Sequence, residues 1–178
     1  MMSENQIGSE SNLVIAVIGF GGAGKGTVST WLSEQYGFMY EYSTSQAART
    51  KIRLPGGHPR TDAQTPDERE AQRREWARFI YEYNNIDPDG IKLYKDMAST
   101  HDIYDGIRRL EELILIQNWV EGRGKILLKL WIDREVPEDT SCDIRAHHCN
   151  LTINNRSTLN SLYNLLSMIG DGIANTAF

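Results

Sequence analysis

Lys25 and Thr27 carry the clearest chemistry in the chain. They follow a loop with four glycines in six residues, Gly19 to Gly24. Successive backbone N–H groups can curl inward around an anion only where no Cβ obstructs them, and glycines allow this. An ammonium at Lys25 can reach the outer oxygens of a polyphosphate, and a hydroxyl at Thr27 can serve its metal ion. Gly21, Gly22, Ala23, Gly24, Lys25, Gly26 and Thr27 are therefore read as a phosphate cradle. The pattern G-x-x-x-x-G-K is met from Gly19 to Lys25, but Gly26 separates the lysine from the hydroxyl.

A second group lies in His101-Asp-Ile-Tyr-Asp105-Gly106-Ile107-Arg108-Arg109. A carboxylate such as Asp105, at the carboxyl end of a strand beside a phosphate loop, can hold Mg²⁺ directly or through water. That ion favours sites with one or two carboxylates, several waters and substrate phosphates. Arg108 and Arg109, one turn beyond, would face the same crevice, where a planar guanidinium suits bidentate capture of phosphate. The plainer alternative makes Asp105 a helix cap and pairs the arginines with Glu111 and Glu112. The phosphate loop earlier in the chain favours the functional reading.

These side chains act together only if the backbone gathers them. The apolar run Leu13–Ile18 reads as a buried strand, and the spacing of Val28, Trp31 and Leu32 predicts a helix over 25–36, stopped by Gly37. Further strands are expected at Phe38–Tyr42, His101–Asp105, Lys125–Ile132 and Asn150–Ile153. Ser43, Thr44 and Ser45 offer N-caps for a short helix through Arg49 or Ile52. Leu54 to Thr61 has two prolines and no periodicity, so it reads as an exposed loop. Thr65-Pro66-Asp67-Glu68 opens a helix to about Tyr83 with a capping box and Trp76, Phe79, Ile80 and Tyr83 on one face. A shorter helix follows Pro88. Another, after Gly106, should turn Leu110, Leu113, Ile114 and Trp119 inward. The last covers Thr158 to Ile169. Strands alternating with helices imply a parallel sheet with helices on both faces and ligands at the strands' carboxyl ends.

Composition fits this class. The chain has 178 residues, 40% hydrophobic and 24% charged, with a net charge of −5 and a pI near 5.4. That suits one globular domain without a global pull toward nucleic acid or anionic lipid. Residues 1–11 read as a disordered tail without signal-peptide character, and 12–178 as the domain. No apolar run approaches the roughly 20 residues of a membrane span. Two cysteines, Cys142 and Cys149, make no disulfide framework, so a cytoplasmic location is expected, the host cytoplasm if a phage encodes the chain. Cys142, His147, His148 and Cys149 lack the paired spacing of a zinc site.

The order Gly-x-x-Gly-x-Gly-Lys-Gly-Thr over residues 19–27 resembles the loop of adenylate kinase and other nucleoside monophosphate kinases. Asp105-Gly-Ile-Arg-Arg109 looks like the Asp-Gly-Phe-Pro-Arg segment of that family, which would make Arg109 the phosphate-gripping arginine. It also resembles the Gly-Val-Arg segment of phage-type deoxynucleoside monophosphate kinases, which would favour Arg108. Ser43 to Arg49 is similar to the segment whose arginine holds the acceptor monophosphate, and Leu151 to Leu162 to the closing strand and helix of the phage enzymes. There Asn155-Arg156 stands where Asp-Gly or Asn-Gly is usual.

The resemblance implies a three-layer α/β P-loop kinase with a five-stranded parallel sheet. It implies an acceptor-binding insert at about 43–98 and a short lid at about 133–148. The reaction would move the γ-phosphoryl of ATP, with Mg²⁺, to a (deoxy)nucleoside monophosphate. Thr27 and Asp105 would serve the metal, Thr44, Arg49 and Arg108 or Arg109 the acceptor, and Arg134 and Arg145 would close over the transfer. Solvated arginines near Glu135, Glu138 and Asp139 are the alternative for the last two. The chain would act as a monomer or homodimer without a membrane partner. Some relatives phosphorylate the hydroxymethyl group of 5-hydroxymethyluracil in DNA. A basic stripe of Arg69, Arg73, Arg74 and Arg78 could track such a strand, although Glu70, Glu75 and Glu82 interleave with it. A nucleotide-binding regulator without turnover is the third reading.

Overall fold

A computed structural model of the protein describes residues 11–52 and 65–177. β1 (Leu13–Ile18) is continuous in apolar character because neither face meets water, and all six residues are buried. It lies inside a sheet ordered β2-β1-β3-β4, with β2 spanning Ile103–Asp105, β3 Ile126–Asp133 and β4 Leu151–Asn154. All pairings are parallel; Val17 stands opposite Asp105 on one side and Leu130 on the other.

Side-chain alternation along β1 splits the core in two. Val14, Ala16 and Ile18 face a layer that includes Tyr94 and Met97 of α4 (Lys92–Met97) and Leu113, Ile116 and Val120 of α5 (Leu110–Glu121). Leu13, Ile15 and Val17 face Val28 and Leu32 of α1 (Lys25–Tyr36) and Leu162 and Leu166 of α6 (Leu159–Ala177). The result is a three-layer α/β fold. α2 (Thr44–Ile52) and α3 (Pro66–Asn84) pack with α4 beyond the β2 edge. Thr65 caps α3 through a reciprocal pair: its hydroxyl accepts from Glu68 N at 3.3 Å, and Glu68 Oε2 accepts from Thr65 N at 2.8 Å.

Three sequence expectations need correction. The sheet of the described residues has four strands, not five. Phe38–Tyr42 does run beside β2, and Met39 O accepts from Asp102 N at 2.8 Å. Side chains replace the rest of the ladder: Met39 N donates to Asp102 Oδ2 at 3.0 Å, and Tyr42 N to His101 Nε2 at 3.2 Å. Ile114 is half exposed; Ile116 and Val120 hold the inner face of α5 instead. α6 continues past Ile169 to Ala177. Within it Gly170 is a point of close approach, since a Cβ there would overlap the Tyr36 ring. The tail before Ser11, the expected loop at Leu54–Thr61, and the side chains of Arg49, Arg69 and Arg73 lie outside the described residues. Among the described residues no helix is long and apolar enough to cross a membrane.

Glu112 ties α5 to α3 and, through Asn84, to α4. Asn84 Nδ2, at the end of α3, donates to Glu112 Oε1 at 2.6 Å, and Asn84 Oδ1 accepts from Leu93 N at 2.9 Å. Burial pushes the Glu112 carboxyl from 4.5 up to about 7, against the hydrogen bonds from Tyr94 and Asn84 and the charge of Arg109. The folded state therefore holds this proton more tightly than the unfolded chain does. Its contribution is full below about pH 4.5 and is lost as pH rises through about 7. Glu112→Gln keeps the shape without the titration. In urea denaturation it should gain on wild type by about 1–3 kcal/mol between about pH 5 and pH 8. Parallel stability curves would contradict this.

Candidate functional site

The glycine-rich loop leaves the carboxyl end of β1 and enters α1 at Gly24, whose φ of 96° lies in the left-handed region. No side chain caps α1, so its first amides remain available to an anion. Lys25 folds back over the loop: Nζ donates to Gly19 O and Phe20 O, each at 2.9 Å. Burial, followed by the charge of Arg108, lowers the Lys25 pKa to about 8, with Asp105 working in the opposite direction. From across the sheet, Asn155 Nδ2 donates to Ala23 O at 2.8 Å and fills the space a Cβ on Gly24 would need. Sequence reading saw Asn155 only as a departure from a usual turn. Its contact with the loop is 132 residues distant.

The loop opens into a cleft of about 780 Å³ between the carboxyl edge of the sheet and α3. Gly21, Gly22, Gly24, Lys25, Gly26 and Thr27 line it. Tyr40, Glu41, Tyr42, Trp76 and Ile80 line it too, with Asp105 and Arg108 also in the wall. Two separate segments, residues 40–42 and α3, build this aromatic wall.

Asp105 is almost fully buried at the end of β2. Its Oδ2 accepts from the Tyr40 hydroxyl at 3.0 Å, whereas Oδ1 is buried with no partner in hydrogen-bonding geometry. Burial raises its pKa, opposed by the Tyr40 bond, Lys25, the Thr44 amide and His101. A buried carboxylate oxygen with no partner in hydrogen-bonding geometry, in one cleft with the Thr27 hydroxyl and a phosphate cradle, fits an oxygen-seeking cation such as Mg²⁺.

The other candidates fall in different places. Arg108 lines the cleft and pairs with Asp139. Arg109 instead lies over the Tyr81 ring, 4.6 Å from its centre, where the turn into α5 sends the neighbouring side chain another way. Arg134 reaches the loop, with Nη1 3.5 Å from Gly22 O. Arg145 sits over the Phe20 ring at 5.3 Å and donates to Cys142 O and Ile144 O at 2.6 and 2.9 Å. The 133–148 segment is packed down: Val136 joins the core beneath the loop, and Cys142 and Ile144 are buried. Thr44 is buried at the start of α2 next to Gly106. Among the described residues no three His, Cys, Asp or Glu side chains form a metal cluster.

No family model matches the chain, and no curated protein matches it in sequence. Solved structures match its backbone. APE1195 aligns at a TM-score of 0.55 with 15% identity, over 92% of this chain and 95% of that one. An unliganded sugar kinase from Janibacter sp. HTCC2649 aligns over 93% of this chain and 97% of its own. Shikimate kinase from Aquifex aeolicus vf5 aligns over 90% and 99%; both have 15% identity and a TM-score of 0.44. Likeness at this identity extends to the α/β fold.

The lowered Lys25 pKa has a measurable consequence for anion binding. Only the protonated amine attracts phosphate, so affinity for inorganic tripolyphosphate should fall up to about tenfold per pH unit above about pH 8. Lys25→Arg stays charged throughout and should bind with a flat profile over the same range. Calorimetric titrations between about pH 7 and pH 9.5 test this; a flat wild-type profile would contradict it.

Proposed function

We propose that this chain is an ATP-dependent phosphotransferase that moves the γ-phosphoryl group of ATP to a (deoxy)nucleoside monophosphate. The observation that carries the reading is the joint placement of Lys25, Asp105 and Arg108. They share one cleft, and the charges of Asp105 and Arg108 both act on the Lys25 ammonium.

On this reading the amides of residues 21–27 and Lys25 hold the donor's β- and γ-phosphates. Thr27 and Asp105 would hold Mg²⁺, which would neutralise charge on the phosphate oxygens. Arg108 grips the acceptor phosphate from the sheet side, with Arg49 of α2 proposed as its partner. The acceptor base would lie against the aromatic wall of Trp76, Tyr40 and Tyr42. An acceptor phosphate oxygen attacks the γ-phosphorus, and the bond to the β–γ bridging oxygen breaks with its electron pair leaving on ADP. No strong base is needed because the attacking oxygen is already anionic. Catalysis would be alignment plus charge neutralisation, supplied on this reading by Lys25, Arg108 and Arg134.

One observation favours a second reading. Glu41, an exposed carboxylate with no ion pair among the described residues, lines the cleft beside Tyr40 and Tyr42. A hydroxyl acceptor, such as the hydroxymethyl group of 5-hydroxymethyluracil in DNA, would need a base there.

Labelled ATP offered with mononucleotides, nucleosides, and plain or hydroxymethylated DNA separates the two. The first reading expects labelled nucleoside diphosphate. It also expects Arg108→Lys to raise the acceptor KM and lower kcat, on the order of a hundredfold in kcat/KM, with ATP affinity nearly unchanged. Salt-sensitive labelling of hydroxymethylated DNA with no labelling of mononucleotides would overturn it.

A further inference from the structure

We propose that Asp139 is a positioning residue for Arg108: it fixes one end of the guanidinium so that the other end faces the acceptor side of the cleft. The inference rests on the phosphotransfer reading for the identity of the acceptor, but the geometry stands on its own. The Asp139 side chain is 1% exposed and that of Arg108 19%, so this ion pair sits inside the protein rather than on its surface.

Both ends of the Asp139 carboxylate are occupied. Oδ2 accepts from Arg108 Nη1, and Oδ1 accepts from the Ser141 amide at 3.1 Å and the Ser141 hydroxyl at 2.6 Å. Ser141 Oγ also accepts from Arg108 Nη1 at 2.8 Å. The main chain ties the same two segments together. Asp143 N donates to Arg108 O at 3.0 Å, and Leu110 N donates to Asp143 Oδ1 at 2.6 Å. Cys142 and Ile144, on either side of Asp143, are buried in the core. The carboxylate is thus held by its own loop before it holds the arginine.

Charge keeps the arrangement intact. Burial alone would raise the Asp139 pKa, but the Ser141 bonds and the Arg108 guanidinium outweigh it and hold the carboxyl at about 2. Asp139 is ionised at any pH at which the chain would work. Meanwhile Nε and Nη2 of Arg108 make no hydrogen bond among the described residues. That leaves one guanidinium edge with two parallel N–H groups, the geometry that takes phosphate oxygens in pairs. A long side chain already fixed at one end loses less rotamer freedom when the acceptor binds. A brake on Arg108, released when the acceptor displaces Asp139, would act in the opposite direction.

Asp139→Asn keeps the shape and removes the charge. With a mononucleotide that the wild type phosphorylates, kcat/KM for the acceptor should fall on the order of a hundredfold, with kcat affected and KM for ATP near wild type. In an Arg108→Ala background the same change should add nothing further. The Arg108 Nε–Hε signal, followed by ¹⁵N relaxation, should be rigid in wild type and mobile in the variant. Should Asp139→Asn fail to fold, Ser141→Ala weakens the same anchorage and should move every readout in the same direction. Faster or unchanged turnover, additive losses in the double variant, or an equally rigid Arg108 would overturn the proposal. If the wild type phosphorylates no mononucleotide, the acceptor reading fails, and the relaxation comparison still decides whether Asp139 fixes Arg108.

Discussion

A partly desolvated ammonium at the carboxyl end of a parallel sheet sets the terms for its surroundings. Lys25 can lie there because the loop turns two carbonyls onto it, and the loop can do so because glycines carry the chain through the turn. Beneath the loop β1 and β2 are buried throughout, so they provide a rigid edge. From that edge Asp105 and Asn155 reach the loop region from two other strand ends. If the loop moved away from the edge, Lys25, Asp105 and Arg108 would no longer share a cleft.

The charges in that cleft are organised by burial as much as by pairing. Lys25 sits below the usual lysine range, Asp105 above the usual carboxylate range, and Asp139 below it. Each shift has a different balance. For Lys25 the neighbouring Arg108 adds to the desolvation penalty, which a bound polyphosphate would relieve. For Asp105 desolvation outweighs the Tyr40 bond, leaving an oxygen suited to a cation. For Asp139 local hydrogen bonds and a guanidinium outweigh desolvation. A site with unmet charge is one in which an anion with its counter-cation gains most on binding.

Local signals were legible in the chain itself. The apolar run of β1, the four glycines after it and the Thr65–Glu68 capping box each specify their structure within a few residues. Features set by distant contacts were not. Phe38–Tyr42 has strand composition, but Asp102 and His101 take its backbone amides with side chains, so it never completes a ladder. The last helix runs on past Ile169 through Gly170, and only the ring of Tyr36, on another helix, shows why that position must be small. Spacing could not separate Arg108 from Arg109; the turn into α5 does, sending one into the cleft and the other onto Tyr81. Asp139 looked like one of several loop acids until its partner 31 residues away was known.

The central claim is that donor and acceptor phosphates meet in one cleft, between the loop at Lys25 and the guanidinium of Arg108. Calorimetric titration with two nucleosides joined by a chain of five phosphates tests it most directly. One molecule would then engage both ends, and linkage should tighten binding by about a hundredfold or more over ATP alone. Lys25→Ala and Arg108→Ala should each abolish most of that gain. Binding no tighter than that of ATP, or a gain that persists in Arg108→Ala, would contradict a shared cleft with these two residues at its ends.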